Sequence, residues 1–247
     1  MRNLNQWRVF DSAETVADEA AMWLCGLACA ATGRFAVCLS GGSTPQRLFQ
    51  RLAGDTYFTR FPWTRVHWFW GDERFVPHGD PRSNFRMAWE ALLSRVPLPK
   101  DNIHPVETQD LSIEDAALKY ERELKSFYGS EHLEDGRPLF DVTFLGIGED
   151  GHTASLFPGS PGLEEKRRWV LAVVDEKRRE PRITLTYPVL DSSRNVAFLA
   201  TGPRKTDILS RVRAGDSNLP AARIRPMGNL WWFVDRAAMP DWPRASN

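Results

Sequence analysis

The sequence predicts an α/β protein: a doubly wound, mainly parallel sheet with helices on both faces. Short apolar, β-prone runs alternate with stretches of helical spacing between residues 12 and 234, the pattern of repeated βαβ units. Several of the apolar runs pass directly into a glycine-rich or charged turn and then into a helix, as at 39–45, 66–84 and 195–206. No internal repeat or low-complexity segment interrupts the alternation, so one domain over residues 1–247 is expected. Right-handed crossovers would bring the loops after the strands at 35–39, 66–70, 140–145 and 194–200 to one edge, where open α/β sheets bind ligands.

The first helix is predicted over 12–31, capped by Asp11 or Ser12, with acidic residues in its first turn where the helix dipole favours them. Gly33 ends it, and the first strand follows at 35–39. The turn Ser-Gly-Gly-Ser-Thr-Pro at 40–45 leads into a helix over 45–53, with Pro45 suited to its first position. A strand is expected at 66–70 and a charged site loop at 71–78, with His78 in a turn. Ser83 is a plausible cap for a helix over 84–95. A short strand is expected at 102–106, a helix at 115–128 stopped by Gly129, and an exposed loop at 129–138. Strands follow at 140–145, 169–174, 182–187, 195–200 and 230–234, with a helix from about 205 to 212. Residues 182–186 alternate in polarity, so their polar side chains can share one face. Trp231 and Trp232 read as core and rim. The basic runs at 166–168 and 177–179 read as solvated surface.

Lys plus Arg and Asp plus Glu number 32 each, so no basic field argues for nucleic acid or an acidic membrane as partner. The apolar and small run at 20–31 is too short to span a bilayer and follows acidic rather than basic residues, so it reads as a buried helix, not as a membrane span or a signal peptide. Three cysteines without a Cys-x-x-Cys pattern argue against a disulfide framework, for packing roles and for a reducing, cytoplasmic setting. No spacing of Cys, His or carboxylates suggests a metal site, and no cofactor is expected.

Two stretches carry chemistry. The turn containing Gly41, Gly42, Ser43 and Thr44 lies between a strand and a helix start, where free N–H groups and the helix dipole favour phosphate. It lacks the Gly-Lys-Ser/Thr ending of a Walker-type nucleotide loop. In Gly-Ile-Gly-Glu-Asp-Gly-His at 146–152, three glycines allow a sharp turn, and Asp150 can orient the imidazole of His152 as a general base. Taken alone, Asp-Gly-His reads first as a glycine-rich turn with a surface histidine, and the other segments are what favour a site. The Gly-x-Gly lacks the later glycine and helix-opening spacing of a dinucleotide fingerprint, so no nicotinamide cofactor is expected.

Together, Ser-Gly-Gly-Ser-Thr-Pro at 40–45, Gly-Asp-Glu-Arg-Phe-Val-Pro at 71–77 with Ser83 and Asn84, and the segment from Gly146 through Asp-Gly-His-Thr-Ala-Ser-Leu-Phe-Pro at 150–158 resemble the 6-phosphogluconolactonase family. Thr-Gly-Pro-Arg-Lys at 201–205 and Trp-Phe-Val-Asp-Arg-Ala at 232–237 extend the resemblance from about residue 10 to 238. A second proline common in the family is replaced by Glu180 here.

The resemblance implies a Rossmann-like fold shared with glucosamine-6-phosphate deaminases. It also implies hydrolysis of 6-phosphogluconolactone, a small sugar-phosphate lactone, in the pentose phosphate pathway, with His152 as general base. Such chemistry needs an activated water and a home for the developing oxyanion. Asp150 is the expected orienter. Arg74 is a candidate for the oxyanion or the sugar. Asp72, Arg182 and Lys205, with the turn at 41–44, are candidates for holding substrate and its phosphate.

The alternatives are a deaminase-like isomerase and a non-catalytic sugar-phosphate sensor. Deaminases of this superfamily follow Asp-Gly-His with Asn-Glu-Pro, and Phe157 stands at the position of that glutamate. A sensor would need a DNA-binding module, for which a first strand beginning near residue 35 after one helix leaves no room.

Overall fold

The computed structural model of the chain describes residues 5–175 and 179–243, so most of the basic run at 177–179 lies outside the described residues. In chain order the elements are β1 (Asn5–Phe10), α1 (Ala13–Ala30), β2 (Phe35–Leu39), α2 (Ser43–Leu52), α3 (Asp55–Phe58), β3 (Val66–Trp70), β4 (Asp72–Arg74), α4 (Asn84–Ala91), α5 (Ile113–Tyr128), β5 (Val142–Leu145), β6 (Val170–Val173), β7 (Arg182–Leu185), α6 (Tyr187–Asp191), β8 (Asn195–Ala200), α7 (Thr206–Arg213) and β9 (Asn229–Asp235).

Six strands form one sheet in the order β1-β9-β8-β5-β2-β3, with every pair parallel and helices on both faces. The strand order fixes where a ligand can sit. From β2 the chain steps outward to β3 at the edge, then returns to place β5 on the other side of β2 and continues through β8 and β9. The connections after β2 and β5 therefore diverge and leave a crevice at the carboxyl ends of these two strands. The phosphate-type turn follows β2, and the Asp-Gly-His segment follows β5.

The expected sheet is joined by a second one. A smaller antiparallel sheet, β4-β7-β6, contains two strands expected in the main sheet and a third, Asp72–Arg74, read from sequence as a loop. Only Gly71 separates β3 from β4; its N–H donates to Leu39 O in the first sheet and its carbonyl accepts from Leu185 in the second. The chain thus changes sheets within one residue. Asp72 pairs with Thr184 and Arg74 with Arg182, so the alternating polar residues of β7 face charged residues of β4.

Further expectations are corrected. The first strand is β1, at residues 5–10, ahead of α1. It lies at the sheet edge and is half exposed, which leaves it polar and without an apolar run. The helix beginning at Asn84 ends at Ala91 and is followed by a 3-10 turn at Leu93–Arg95. Residues 102–106 form no strand, only a single bridge from Ile103 to Trp68. Cys29 is exposed, whereas Cys25 and Cys38 are buried; all three are free thiols.

The caps follow local chemistry. Ser12, Ser83 and Ser112 each accept the N–H of the third helical residue, satisfying a donor the helix cannot. Helix α2 begins at Ser43 rather than Pro45, with Gly42 as its cap. Helix α1 buries Val16, Ala20, Leu24 and Ala28 and leaves Met22 exposed, so it covers the core with one face instead of being enclosed by it. No helix among the described residues is long and apolar enough to cross a membrane.

The core is aromatic. Trp68, Trp70, Phe144, Phe198, Trp232 and Phe233 are fully enclosed, and Phe198 stacks on Trp232 at 4.0 Å. Each such side chain contributes about 1.5–3 kcal/mol through burial. The edge strand β3 leaves the N–H and C=O of Trp70 without a strand partner. The hydroxyl of Tyr120 on α5 takes both, accepting the N–H at 2.8 Å and donating to the carbonyl at 2.9 Å. This fixes the end of β3 from which Asp72 and Arg74 project.

Behind the core, half-buried Asp191 at the end of α6 accepts the N–H of Arg225 at 2.8 Å. Burial pushes its carboxyl up to about 6 from an ordinary 3.8. The native state then binds this proton more tightly than the unfolded chain. The resulting stabilisation is complete below pH 3.8 and is lost as pH rises through 6. Asp191→Asn keeps the acceptor but cannot ionise. It is expected to stabilise the protein by about 1–3 kcal/mol at pH 8 and to be nearly neutral at pH 4. Thermal unfolding of both proteins at the two pH values checks this; an equal effect at both would contradict it.

Candidate active site

The segment after β5 is a folded loop with its own hydrogen bonds. Gly148 N–H donates to His152 O at 2.9 Å, Gly151 N–H to Gly148 O at 3.0 Å, and Thr153 Oγ1 to Gly146 O at 2.9 Å. Lys205, reaching across from the turn before α7, donates to Ile147 O at 2.6 Å. Ala221 N–H, from the far side, donates to Gly151 O at 3.0 Å. Within this frame Nδ1 of His152 lies 2.5 Å from Oδ1 of Asp150, which also accepts the backbone N–H of His152 at 3.1 Å. The carboxylate holds the proton on Nδ1, which leaves Nε2 as the basic ring nitrogen.

The ring lies directly over Gly148. A Cβ at that position would sit 2.1 Å from Nδ1 and 2.5 Å from the Asp150 carboxylate, so only glycine permits the pair. On another side the imidazole packs against the buried ring of Phe157 at 4.8 Å.

His152 lines a cleft of about 260 Å³ together with Gly41, Gly42, Ser43, Thr44, Asp72, Arg74, Arg182 and Lys205. Every residue singled out from sequence is thus in this cleft or, for Asp150, bonded to a residue that is. A larger groove of about 1090 Å³ reaches Asp150 and Ser155, but its described lining contains neither an imidazole nor a basic side chain. Its size gives it no chemistry, and we place the site in the smaller cleft.

The cations are held in different ways. Arg74 donates through Nη1 to the carbonyl of Arg82 at 2.6 Å, while its buried Nε has no hydrogen-bond partner among the described residues. Arg182 is largely buried, with Nη1 3.9 Å from Oδ2 of Asp72 and its guanidinium 5.7 Å from the Phe157 ring. Burial lowers the Lys205 ammonium below its ordinary value, against the pull of Glu149 and Asp150 nearby. Asp72 is a junction: its Oδ2 accepts the Ser155 hydroxyl at 2.6 Å, and its carbonyl accepts Asn84 Nδ2 at 2.9 Å. A buried carboxylate held by hydroxyl, amide and guanidinium groups is suited to fixing its neighbours.

The phosphate-type turn is also tied down. Thr44 and Thr201 hydroxyls meet at 2.8 Å, joining the turn after β2 to the one after β8. Asp235 accepts the Gly202 N–H at 3.0 Å and so shapes the turn that carries Lys205. Sequence reasoning did not single out Asn84, Ala154 or Leu199, which also line the cleft, nor Ser155. Asn84 had a signal, as part of a motif beside Ser83, but there it read only as a helix start.

Residues 11–232 match the model of the family described as glucosamine-6-phosphate isomerases/6-phosphogluconolactonase. A 6-phosphogluconolactonase of Nostoc sp. is 43% identical over 209 residues, covering 83% of this chain and 84% of the relative. A 6-phosphogluconolactonase of Mycobacterium tuberculosis is 38% identical over 225 residues, covering 88% and 89%. The crystal structure of 6-phosphogluconolactonase from Thermotoga maritima superimposes with a TM-score of 0.79 at 33% identity, over 94% of this chain and all of that one. Fold, cleft and similarity agree, and the chain belongs to the glucosamine-6-phosphate isomerase/6-phosphogluconolactonase family.

Proposed function

We propose that this chain hydrolyses 6-phosphoglucono-lactone to 6-phosphogluconate in the pentose phosphate pathway, with His152 as general base. The observation that carries the reading is the Asp150–His152 pair in one cleft with a helix-start turn and three basic side chains. Nε2 of His152 takes a proton from water as the water oxygen bonds to the lactone carbonyl carbon. The tetrahedral oxyanion then collapses, the bond from that carbon to the ring oxygen breaks, and the imidazolium returns its proton to the departing ring oxygen. Asp150 stabilises the imidazolium and fixes the ring. Arg74, which lines the cleft, stabilises the oxyanion or a sugar hydroxyl through its guanidinium. The amides of 41–44, Arg182 and Lys205 hold the phosphate, and Asp72 orients Arg182. A lactone is an activated ester, so the step needs no metal or cofactor. Three free thiols support a cytoplasmic setting.

The deaminase alternative is disfavoured by Phe157. The position at which deaminases carry a proton-transferring glutamate holds a buried ring that packs at a tilt against the imidazole. A phenyl group cannot pass protons, and lactone hydrolysis does not require that it should.

His152→Gln retains a polar side chain that cannot accept the proton. The expected result is a fall in kcat of about 10²–10⁴ with product affinity little changed. Lactone hydrolysis followed by pH-stat, together with calorimetric binding of 6-phosphogluconate, measures both. A folded, binding-competent variant with near-normal kcat would remove His152 from the mechanism. Lys205→Ala is expected to lower kcat/KM on the phosphorylated lactone about ten- to a hundredfold and to affect unphosphorylated gluconolactone far less. Equal losses on both substrates would restrict Lys205 to holding the Ile147 carbonyl.

A further inference from the structure

Next to Asp72 lies a second buried carboxylate that the mechanism above does not use. Glu73 is 1% exposed. Its Oε1 accepts the N–H of Arg74 and of Asn84, each at 2.7 Å, and its Oε2 accepts the N–H of Phe85 at 2.7 Å and the Ser83 hydroxyl at 3.0 Å. All four partners donate, so the arrangement fits an ionised carboxylate lying on the N-terminus of α4, where the helix dipole favours negative charge. Burial raises this carboxyl above its ordinary value while the four bonds hold it down.

Retaining a charge in the interior is costly unless it is fully bonded. Capping alone does not require one, since Ser12 and Ser112 cap α1 and α5 with a hydroxyl. What α4 carries at its first residue differs. The Asn84 side chain lines the substrate cleft, donates Nδ2 to Asp72 O at 2.9 Å, and lies against the backbone of Gly41. A Cβ on Gly41 would meet Asn84 Oδ1 at 2.0 Å. One side chain thus spans from β4 to the first residue of the phosphate turn, and its own backbone is fixed by Glu73.

We propose that Glu73 is a positioning residue for substrate binding: it fixes the start of α4 so that the Asn84 amide holds the Gly41 turn in its phosphate-binding shape. The inference rests on the reading above that this turn takes the substrate phosphate. Loss of the Glu73 contacts then weakens ground-state and transition-state binding alike and leaves proton transfer at His152 untouched.

In Glu73→Gln one oxygen becomes an NH2 group. It is tolerated best on the Oε2 side, where the Ser83 hydroxyl can turn to accept it but the Phe85 N–H loses its acceptor. The expected result is a KM for the phosphorylated lactone raised about five- to twentyfold, kcat within about twofold, and an unchanged acid limb of the kcat–pH profile. Asn84→Ala is expected to raise KM by itself, and Glu73→Gln made in that background should add less than about twofold, because both act through one side chain. A Glu73→Gln protein that melts lower but keeps a normal KM would overturn the proposal. So would a KM effect that persists undiminished beside Asn84→Ala.

Should Glu73→Gln not fold, Ser83→Ala, which removes one of the four donors, is carried through the same cycle, with a KM rise of about two- to fivefold expected. An unchanged KM there overturns the proposal in the same way. Wild-type protein is assayed in parallel on unphosphorylated gluconolactone. If it fails to distinguish the two lactones, the functional reading fails. If it distinguishes them and the variants behave as wild type, only the role of Glu73 fails.

Discussion

The pairing of His152 with Asp150 depends on the absence of a side chain at residue 148. The imidazole and the carboxylate occupy the volume a Cβ would need, at 2.1 and 2.5 Å. The loop around them is held from outside by Lys205 on Ile147 O and by Ala221 on Gly151 O. An imidazole on an unsupported glycine turn would sample many orientations. Here the imidazole proposed as base is held in one orientation by the protein alone, which is the condition for efficient proton transfer. Lys205 joins the two halves of the chemistry, since the ammonium proposed for the phosphate also pins the loop that carries the base.

The second sheet supplies what the crevice at β2 and β5 lacks. An open parallel sheet offers backbone amides and helix starts at its carboxyl edge, but not buried cations. By changing sheets at Gly71, the chain turns Asp72 and Arg74 inward and pairs them with Thr184 and Arg182. Ser155 then ties the segment after His152 to Asp72 through its hydroxyl and to Thr184 through its N–H, at 2.6 and 3.1 Å. The His152 imidazole, the three cations and the turn at 41–44 therefore belong to one bonded unit drawn from five separate stretches of chain.

Much of this was legible in the sequence because it is local. The strand-turn-helix junctions, the serine caps and the Gly129 stop each follow from residues within a few positions of one another. The turn at 41–44, Arg74, His152 and Lys205 were legible for the same reason, since each belongs to a short motif that follows a strand of the parallel sheet. What escaped depends on distant partners. The stretch at 71–78 read as a charged site loop, with nothing local to show that Asp72 and Glu73 are buried; they are, because Ser83, Asn84 and Ser155 supply their hydrogen bonds. Strand β1 escaped because an edge position lets Asn5, Gln6 and Arg8 stay in a strand without forming an apolar run. Asn84 looked like a helix start because its contacts with Gly41 and Asp72 exist only once α4 is docked.

The proposed chemistry requires one direction of binding: phosphate on the turn at 41–44, with Arg182 and Lys205, and the reacting carbon at His152. A crystal structure of the wild-type protein with 6-phosphogluconate tests it most directly. Phosphate oxygens are expected within hydrogen-bond distance of the 42–44 amides and of at least one of the two cations. The carboxylate carbon is expected within about 3–3.5 Å of His152 Nε2, or one bridging water away from it. A product bound with its phosphate at His152, or lying in the larger groove beside Phe157, would contradict it.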